Sequence, residues 1–276
     1  MTNEKIKVNQ IEIYIEYDNL KKVNWNEIRD SPDKIPIIVM HGHMANHFYL
    51  KPIYYYFKNR GWPVLSFDLR GHGWSEKSLA GKYKIDYCVE DLYQIYQEFL
   101  LKKFGYQKFY LIGHSMGGFI SQKYAIKYPE TLSKLVLLST SSCLVSNKLI
   151  KLLFFMIVFY WKIFYNHILK NKKKRHIRLG IENFPQWKDT SLLPDKQASI
   201  EFLKDIGDFC VLNQIESIKI PVLVCVGSKD DIKHQSKIIA DKIPNAEFIL
   251  LDGYEHNIAI HAKEKIAEKI YEFLIK

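Results

Sequence analysis

Ser115 stands in Gly113-His114-Ser115-Met116-Gly117, with a glycine two places to either side. A serine on a sharp strand-to-helix turn projects its Oγ clear of the backbone. Side chains two positions away would then crowd the main chain, so glycine is required there. Residues 109–112 are apolar as a strand should be, and residues 119–128 have helical spacing that stops at Pro129. A helix beginning at the serine would also aim backbone N–H groups and a positive dipole end at the reacting centre. The chemistry suggested is covalent catalysis, which needs a base for the serine proton and a third group to orient that base. An acid and then a histidine follow in the order such an elbow uses. Gly227-Ser228-Lys229-Asp230-Asp231 offers the acid, and Asp252-Gly253-Tyr254-Glu255-His256-Asn257 offers the base. The turn Ser139-Thr140-Ser141-Ser142 has no carboxylate, which leaves Asp230 or Asp231. His261 competes with His256, but it opens the last helical stretch, where capping or surface exposure suits it better.

Such groups must be carried on one sheet edge. Residues 35–40, 64–69, 109–112, 135–139, 222–226 and 248–251 are short apolar runs, and helical spacing fills 48–60, 87–104, 119–128, 233–242 and 263–274. Runs without alternation suit strands covered on both faces, and their regular exchange with helices predicts a mostly parallel, doubly wound α/β sheet. Residues 11–17 alternate and read as a half-exposed antiparallel strand, and residues 21–34 as a loop or short helix. The rhythm breaks over residues 141–217, a helix-rich stretch placed to cover the strand C-termini. The expected organisation is a core of residues 1–140 and 218–276 with a helical cap of residues 141–217.

The totals agree with one such domain. The chain has 276 residues, of which 47% are hydrophobic and 14% aromatic. The formal net charge of +10 would suit nucleic acid or an anionic membrane. No helix-turn-helix, zinc-finger or RNA-binding motif accompanies it, so no nucleic-acid partner is expected. Cys88, Cys143, Cys210 and Cys225 form no C-x-x-C pair, and a domain of this size needs no staples. With no apolar stretch in residues 1–7, the expectation is a reduced, cytoplasmic protein.

Three motifs together make the chain resemble the α/β-hydrolase superfamily, in its serine-nucleophile branch with a helical cap. They are His41-Gly42-His43, then Asp68-Leu69-Arg70-Gly71-His72-Gly73-Trp74-Ser75, then Gly113-His114-Ser115-Met116-Gly117-Gly118. The resemblance implies oxyanion-binding backbone N–H groups at His43 and Met116, and Asp230 rather than Asp231 as the acid. It implies a structural part for Asp68 and Arg70, which would fix the loop they occupy, and His114 reads as a scaffold histidine. Glu255 departs from the glycine usual before the family's histidine. No metal or cofactor is implied.

The activity implied is cleavage of a carboxylic ester, medium-chain or monoacylglycerol-like, through an acyl-Ser115 intermediate. The same triad serves thioester, lactone and carbon–carbon hydrolysis, perhydrolysis and acyl transfer, and the fold does not separate these. Epoxide and haloalkane hydrolysis would want an Asp in place of Ser115. A slow-hydrolysing small-molecule receptor of the same fold is the alternative of a different class.

Residues 152–161 of the cap carry no charge, but Lys151 and Lys162 bracket them well short of the roughly 20 residues a bilayer crossing needs. Wound as a helix, Lys148, Lys151, Lys162, Asn166 and Lys170 share a narrow stripe and the rest is apolar. Such a helix is expected to be buried on most sides, wedged on the sheet edge with its rings lining an acyl pocket. The basic run Lys170-Asn171-Lys172-Lys173-Lys174-Arg175-His176-Ile177-Arg178 supplies a second reading, in which the cap touches an anionic membrane peripherally.

Overall fold

The computed structural model describes residues 1–77, 79, 81–144, 148–178 and 189–276. Strands β1 (Thr2–Val8) and β2 (Ile11–Asp18) form an antiparallel hairpin. Its turn residues Asn9 and Gln10 both have positive φ, 47° and 70°, as a two-residue hairpin loop demands. The other strands are β3 (Ile37–Met40), β4 (Val64–Phe67), β5 (Phe109–His114), β6 (Leu132–Leu138), β7 (Val222–Gly227) and β8 (Ala246–Leu251). They join in one sheet of order β1-β2-β4-β3-β5-β6-β7-β8, parallel from β4 onward.

Alternate residues of the central strands feed two apolar clusters. Ile38, Met40, Leu65, Phe67 and Leu111 point to one side, and Ile37, Val39, Val64 and Ile112 to the other. That division explains the unbroken apolar runs: both faces are covered. The covering helices are α1 (Trp25–Ile28), α2 (Lys51–Lys58), α3 (Ile85–Gln94), α4 (Met116–Lys127), α5 (Lys148–Arg178), α6 (Lys196–Asp208), α7 (Lys233–Lys242), α8 (Ile258–His261) and α9 (Lys263–Ile275). Helix α3 continues as a π-helical stretch to Phe104 and ends at Gly105, in the left-handed region at φ 89°.

The segment between β6 and β7 carries α5 and α6, and its neck departs from expectation. Cys143 and Cys210 form a disulfide, so the four thiols expected to be reduced are two, Cys88 and Cys225, both buried. The pair lies 67 residues apart in sequence, and only the return of the chain to the sheet after α6 brings the two together. Removing the crosslink in a Cys143→Ala/Cys210→Ala variant is expected to lower unfolding stability by about 4 kcal/mol, the closure entropy of a loop of this length. Urea unfolding with and without dithiothreitol checks it: the reductant should shift the wild type toward the variant and leave the variant unchanged.

Helix α5 is also corrected. It is not buried on most sides. A stripe of Phe154, Val158, Trp161, Tyr165, Ile168 and Leu169 faces inward at helical spacing, while Leu152, Leu153, Phe155, Met156, Ile157, Phe159, Tyr160, Ile163 and Phe164 are exposed. Once its lysines are tolerated, Leu152–Asn171 is long and apolar enough to cross a membrane by length and composition, with a mean hydropathy of 1.6 and 6% of it buried. The side chains of Lys148, Lys151, Lys172, Arg175, His176, Ile177 and Arg178 lie outside the described residues.

Candidate active site

Ser115 sits between β5 and α4 with φ 55° and ψ −119°, a conformation that is strained for a residue with a Cβ. Its surroundings hold it there. Ser115 N–H donates to Leu138 O at 2.9 Å, and Gly118 N–H donates to Ser115 O at 2.8 Å. The flanking glycines are required by contact: a Cβ on Gly113 would lie 2.5 Å from Gly117 O, and one on Gly117 would lie 2.5 Å from Met40 O. The reading of two crowded glycine positions around the serine therefore matches the geometry, with Ser115 itself half-buried.

The structure brings Ser115, His256 and Asp230 together. Ser115 Oγ–H donates to His256 Nε2 at 3.0 Å, and His256 Nδ1–H donates to Asp230 Oδ2 at 3.0 Å. The three sit at the C-terminal ends of β5, β8 and β7, on one sheet edge. Asp230 is buried while Asp231 is exposed, so the choice between neighbouring carboxylates falls on Asp230. Burial would push the Asp230 carboxyl up, but the hydrogen bond and charge of His256 and the Ile232 N–H outweigh it and hold it below the ordinary carboxylate range. The two loops brace each other: Lys229 N–H donates to Tyr254 O at 2.9 Å, and Gly253 N–H to Ser228 Oγ at 2.8 Å. Glu255 is exposed, and the histidine on Ser115 is His256, not His261, which closes the short helix α8.

Met116 directly follows Ser115 as the first residue of α4, and His43 is on the loop after β3, whose Gly42 packs on the serine: a Cβ on Gly42 would lie 2.9 Å from Ser115 Cβ. The His43 ring is tied outward, its Nε2–H donating to Ser199 O of α6 at 2.8 Å and its face 5.4 Å from the ring of Trp161. His41 anchors the same loop: its Nδ1–H donates to Gly42 O at 2.8 Å and its Nε2 accepts from Leu69 N–H at 3.1 Å. Burial, partly countered by the Asp68 charge, lowers its pKa to about 4, so the ring is neutral at pH 7. Among the described residues no group of three or more His, Cys, Asp or Glu could hold a metal ion.

A family model described as serine aminopeptidase, S33, matches residues 31–262. The chain belongs to that family. It is a hydrolase of the α/β-hydrolase fold. Among curated proteins it is similar to the proline iminopeptidase PfmaB of Pestalotiopsis fici, 25% identical over 89% of this chain and 94% of that one. Among solved structures it is similar to an esterase from Exiguobacterium antarcticum, with a TM-score of 0.82 at 17% identity over 100% of both chains. It is also similar to the enol-lactonase of Burkholderia xenovorans LB400, with a TM-score of 0.78 at 18% identity over 99% of this chain and 100% of that one.

In this S33 family member the loop residues Asp68 and Arg70 do not pair with each other. Asp68 accepts from His47 N–H at 2.7 Å, His47 Nδ1–H at 2.8 Å and Trp74 N–H at 2.9 Å, while Arg70 binds Asp91 through Nε at 2.8 Å and Nη2 at 2.7 Å. Both charges are buried, Asp68 tying its turn to His47 and Arg70 tying it to α3, which leaves both committed to structure. His114 packs on the catalytic histidine, its ring 5.1 Å from that of His256: its Nε2–H donates to His256 O at 3.1 Å, and burial, with His256 nearby, lowers its pKa to about 3.

Two supports escaped the sequence reading. Thr140 Oγ1–H donates to Ser115 O at 2.9 Å, and Tyr49 O–H donates to Asn257 Oδ1 at 2.5 Å, beside His256. The signal for Thr140 was its place at the C-terminal end of the strand next to β5. Tyr49 had none, since its partner lies 208 residues away.

Proposed function

We propose that this S33 hydrolase cleaves carboxylic esters through an acyl-Ser115 intermediate. The unbroken relay from Asp230 through His256 to the Ser115 Oγ carries the reading. Ser115 Oγ attacks the ester carbonyl as its proton passes to His256 Nε2. The backbone N–H groups of His43 and Met116 would meet the developing oxyanion, where one such donor contributes about 3–4 kcal/mol in related chemistry. Collapse expels the alkoxide, which takes the proton from His256. Water, activated by the same ring, then frees the acid.

The cap supports an apolar acyl group. Trp161 lies over the loop that bears His43, and the buried Tyr165 follows it one turn on along the same inward stripe. Such a wall favours a medium-chain or monoacylglycerol-like ester over a small polar one. The family description and the similarity to proline iminopeptidases favour a second reading, removal of an N-terminal residue. That reaction would need a carboxylate placed to pair with the substrate ammonium.

A series of p-nitrophenyl esters from acetyl to dodecanoyl, set against proline p-nitroanilide, separates the two. Ester kcat/KM is expected to peak beyond acetyl and to exceed the anilide value by about 100-fold or more, a gap of roughly 3 kcal/mol in transition-state binding. Faster anilide cleavage would replace the ester reading with the aminopeptidase one. An optimum at acetyl would remove the apolar acyl pocket.

A further inference from the structure

Among the described residues the outer face of α5 is solvent-exposed, and its composition changes along its length. From Leu152 to Ile163 the exposed side chains are apolar apart from Lys162, led by Phe155 (66% exposed), Met156 (59%) and Phe159 (58%). Beyond Phe164 the exposed positions are Asn166, His167, Lys170, Asn171, Lys173 and Lys174, and the sequence stays basic to Arg178. The two halves meet at Phe164, whose φ of −104° and ψ of 21° break the helix. We propose that α5 seats the enzyme on an anionic lipid bilayer, lying in the plane of the surface with Phe155, Met156 and Phe159 in the acyl region and the basic end among the headgroups.

The structure favours lying flat over crossing. The apolar half from Leu152 to Ile163 spans about 18 Å at 1.5 Å per residue, against a hydrocarbon core of about 30 Å. The inward stripe is held to the core at several levels: Phe154 against Gly207, Trp161 against His43, and the Tyr165 hydroxyl donating to Pro194 O at 2.9 Å. A crossing would tear those contacts away. The chain would then have to return through residues 179–188, which include Glu182, Pro185 and Lys188 and no second apolar stretch. The two sides of the neck instead stay together, joined by the Cys143–Cys210 disulfide and by Val211 N–H donating to Ser142 O at 2.9 Å.

Charge selects the occupant. A second copy would bring the same positive end to the contact, whereas phosphate headgroups bring the opposite sign. A groove of about 340 Å³ between α5 and α6 opens on this face, lined by Phe155, Val158, Phe159 and Ile200, with Lys162 and Lys204 at its edge and Asp208 alongside. Its lysines can extend their stems over the apolar floor and reach headgroups.

Flotation of the full chain with vesicles, without substrate, tests the seat independently of the ester reading. The wild type should rise with vesicles of phosphatidylcholine mixed with phosphatidylglycerol, and far less with phosphatidylcholine alone. Phe155→Glu/Phe159→Glu should abolish flotation, and since both positions are exposed, its thermal unfolding should match the wild type. Lys170→Gln/Lys174→Gln should lower the partition coefficient roughly 25-fold, about fivefold for each lysine near a charged surface. No flotation of the wild type, or flotation unchanged in the phenylalanine variant, overturns the proposal. So does a dimer in sedimentation that the phenylalanine variant dissociates, with no vesicle binding; the face would then belong to a second copy. Protein that stays with the vesicles through alkaline carbonate overturns the in-plane geometry.

Discussion

Ser115→Ala is expected to lower kcat for the best ester of the series by about a million-fold, which is close to 8 kcal/mol of transition-state stabilisation. The size follows from the relay. Without Oγ there is no acyl-enzyme, and His256 has nothing to deprotonate except water held at a different point. What survives is the rate due to substrate binding and the oxyanion N–H groups, about a thousand-fold or more over water in comparable enzymes. Because the members act as a unit, adding His256→Ala to Ser115→Ala should cost little more. The backbone bond from residue 115 to Leu138 O persists in the variant, so circular dichroism and thermal unfolding should be near wild type. Labelling by a fluorophosphonate should vanish with the activity. A Ser115→Ala rate within about tenfold of the wild type would remove this serine from the mechanism.

The second large effect is that of Asp230→Asn, expected to reduce kcat by about ten-thousand-fold. The ionised Asp230 carboxylate accepts from His256 Nδ1–H, which leaves the Nε2 lone pair for the Ser115 proton. An asparagine can turn its amide and donate instead. The ring would then carry its proton on Nε2 and face Ser115 with a donor. It would also lose the negative charge that stabilises the imidazolium formed during attack. Asp231→Asn is the control; on an exposed side chain it should alter the rate by no more than about twofold.

Linkage gives the same pair a stability signature. Asp230 has a folded pKa below its unfolded value, so its stabilising contribution is present above the ordinary carboxylate pKa of 3.8 and is lost as pH falls through the lower folded value. Urea unfolding of the wild type and Asp230→Asn should therefore differ at pH 7 and converge in acid. A difference that stays constant from pH 7 to below 3 would mean that the carboxylate is not held ionised by its surroundings.

Sequence legibility tracked how local the physical cause was. The central strands were readable because both faces are covered, which leaves an unbroken apolar signature in Ile37–Met40 or Val222–Gly227. The elbow was readable because sterics require glycine within two residues of the serine. Strand β1 was not, because as an edge strand it keeps charges such as Glu4, Lys5 and Lys7 on its surface and buries fully only Val8. Its antiparallel partner β2 alternates clearly and was found. The start of α4 was placed a turn too late, since Met116, Gly117 and Gly118 look unlike a helix start and are held there by the strained serine, whereas its end before Pro129 was read to within a residue.

Nearest-neighbour chemistry, then, was determined by the sequence alone: a strand, a serine on a tight turn, and an acid and a histidine in serviceable order. Closure in space was decided only by the tertiary structure. Burial separated Asp230 from Asp231, and the return of the insertion joined Cys143 to Cys210 across 67 residues. Docking of the core against one stripe of α5 left its other faces bare, where an apolar periodicity by itself asks for burial without saying by what. Local sterics leave a mark within a few residues of their cause. Contacts between distant segments depend on how much surface each element finds to bury, and that is a property of the assembled fold.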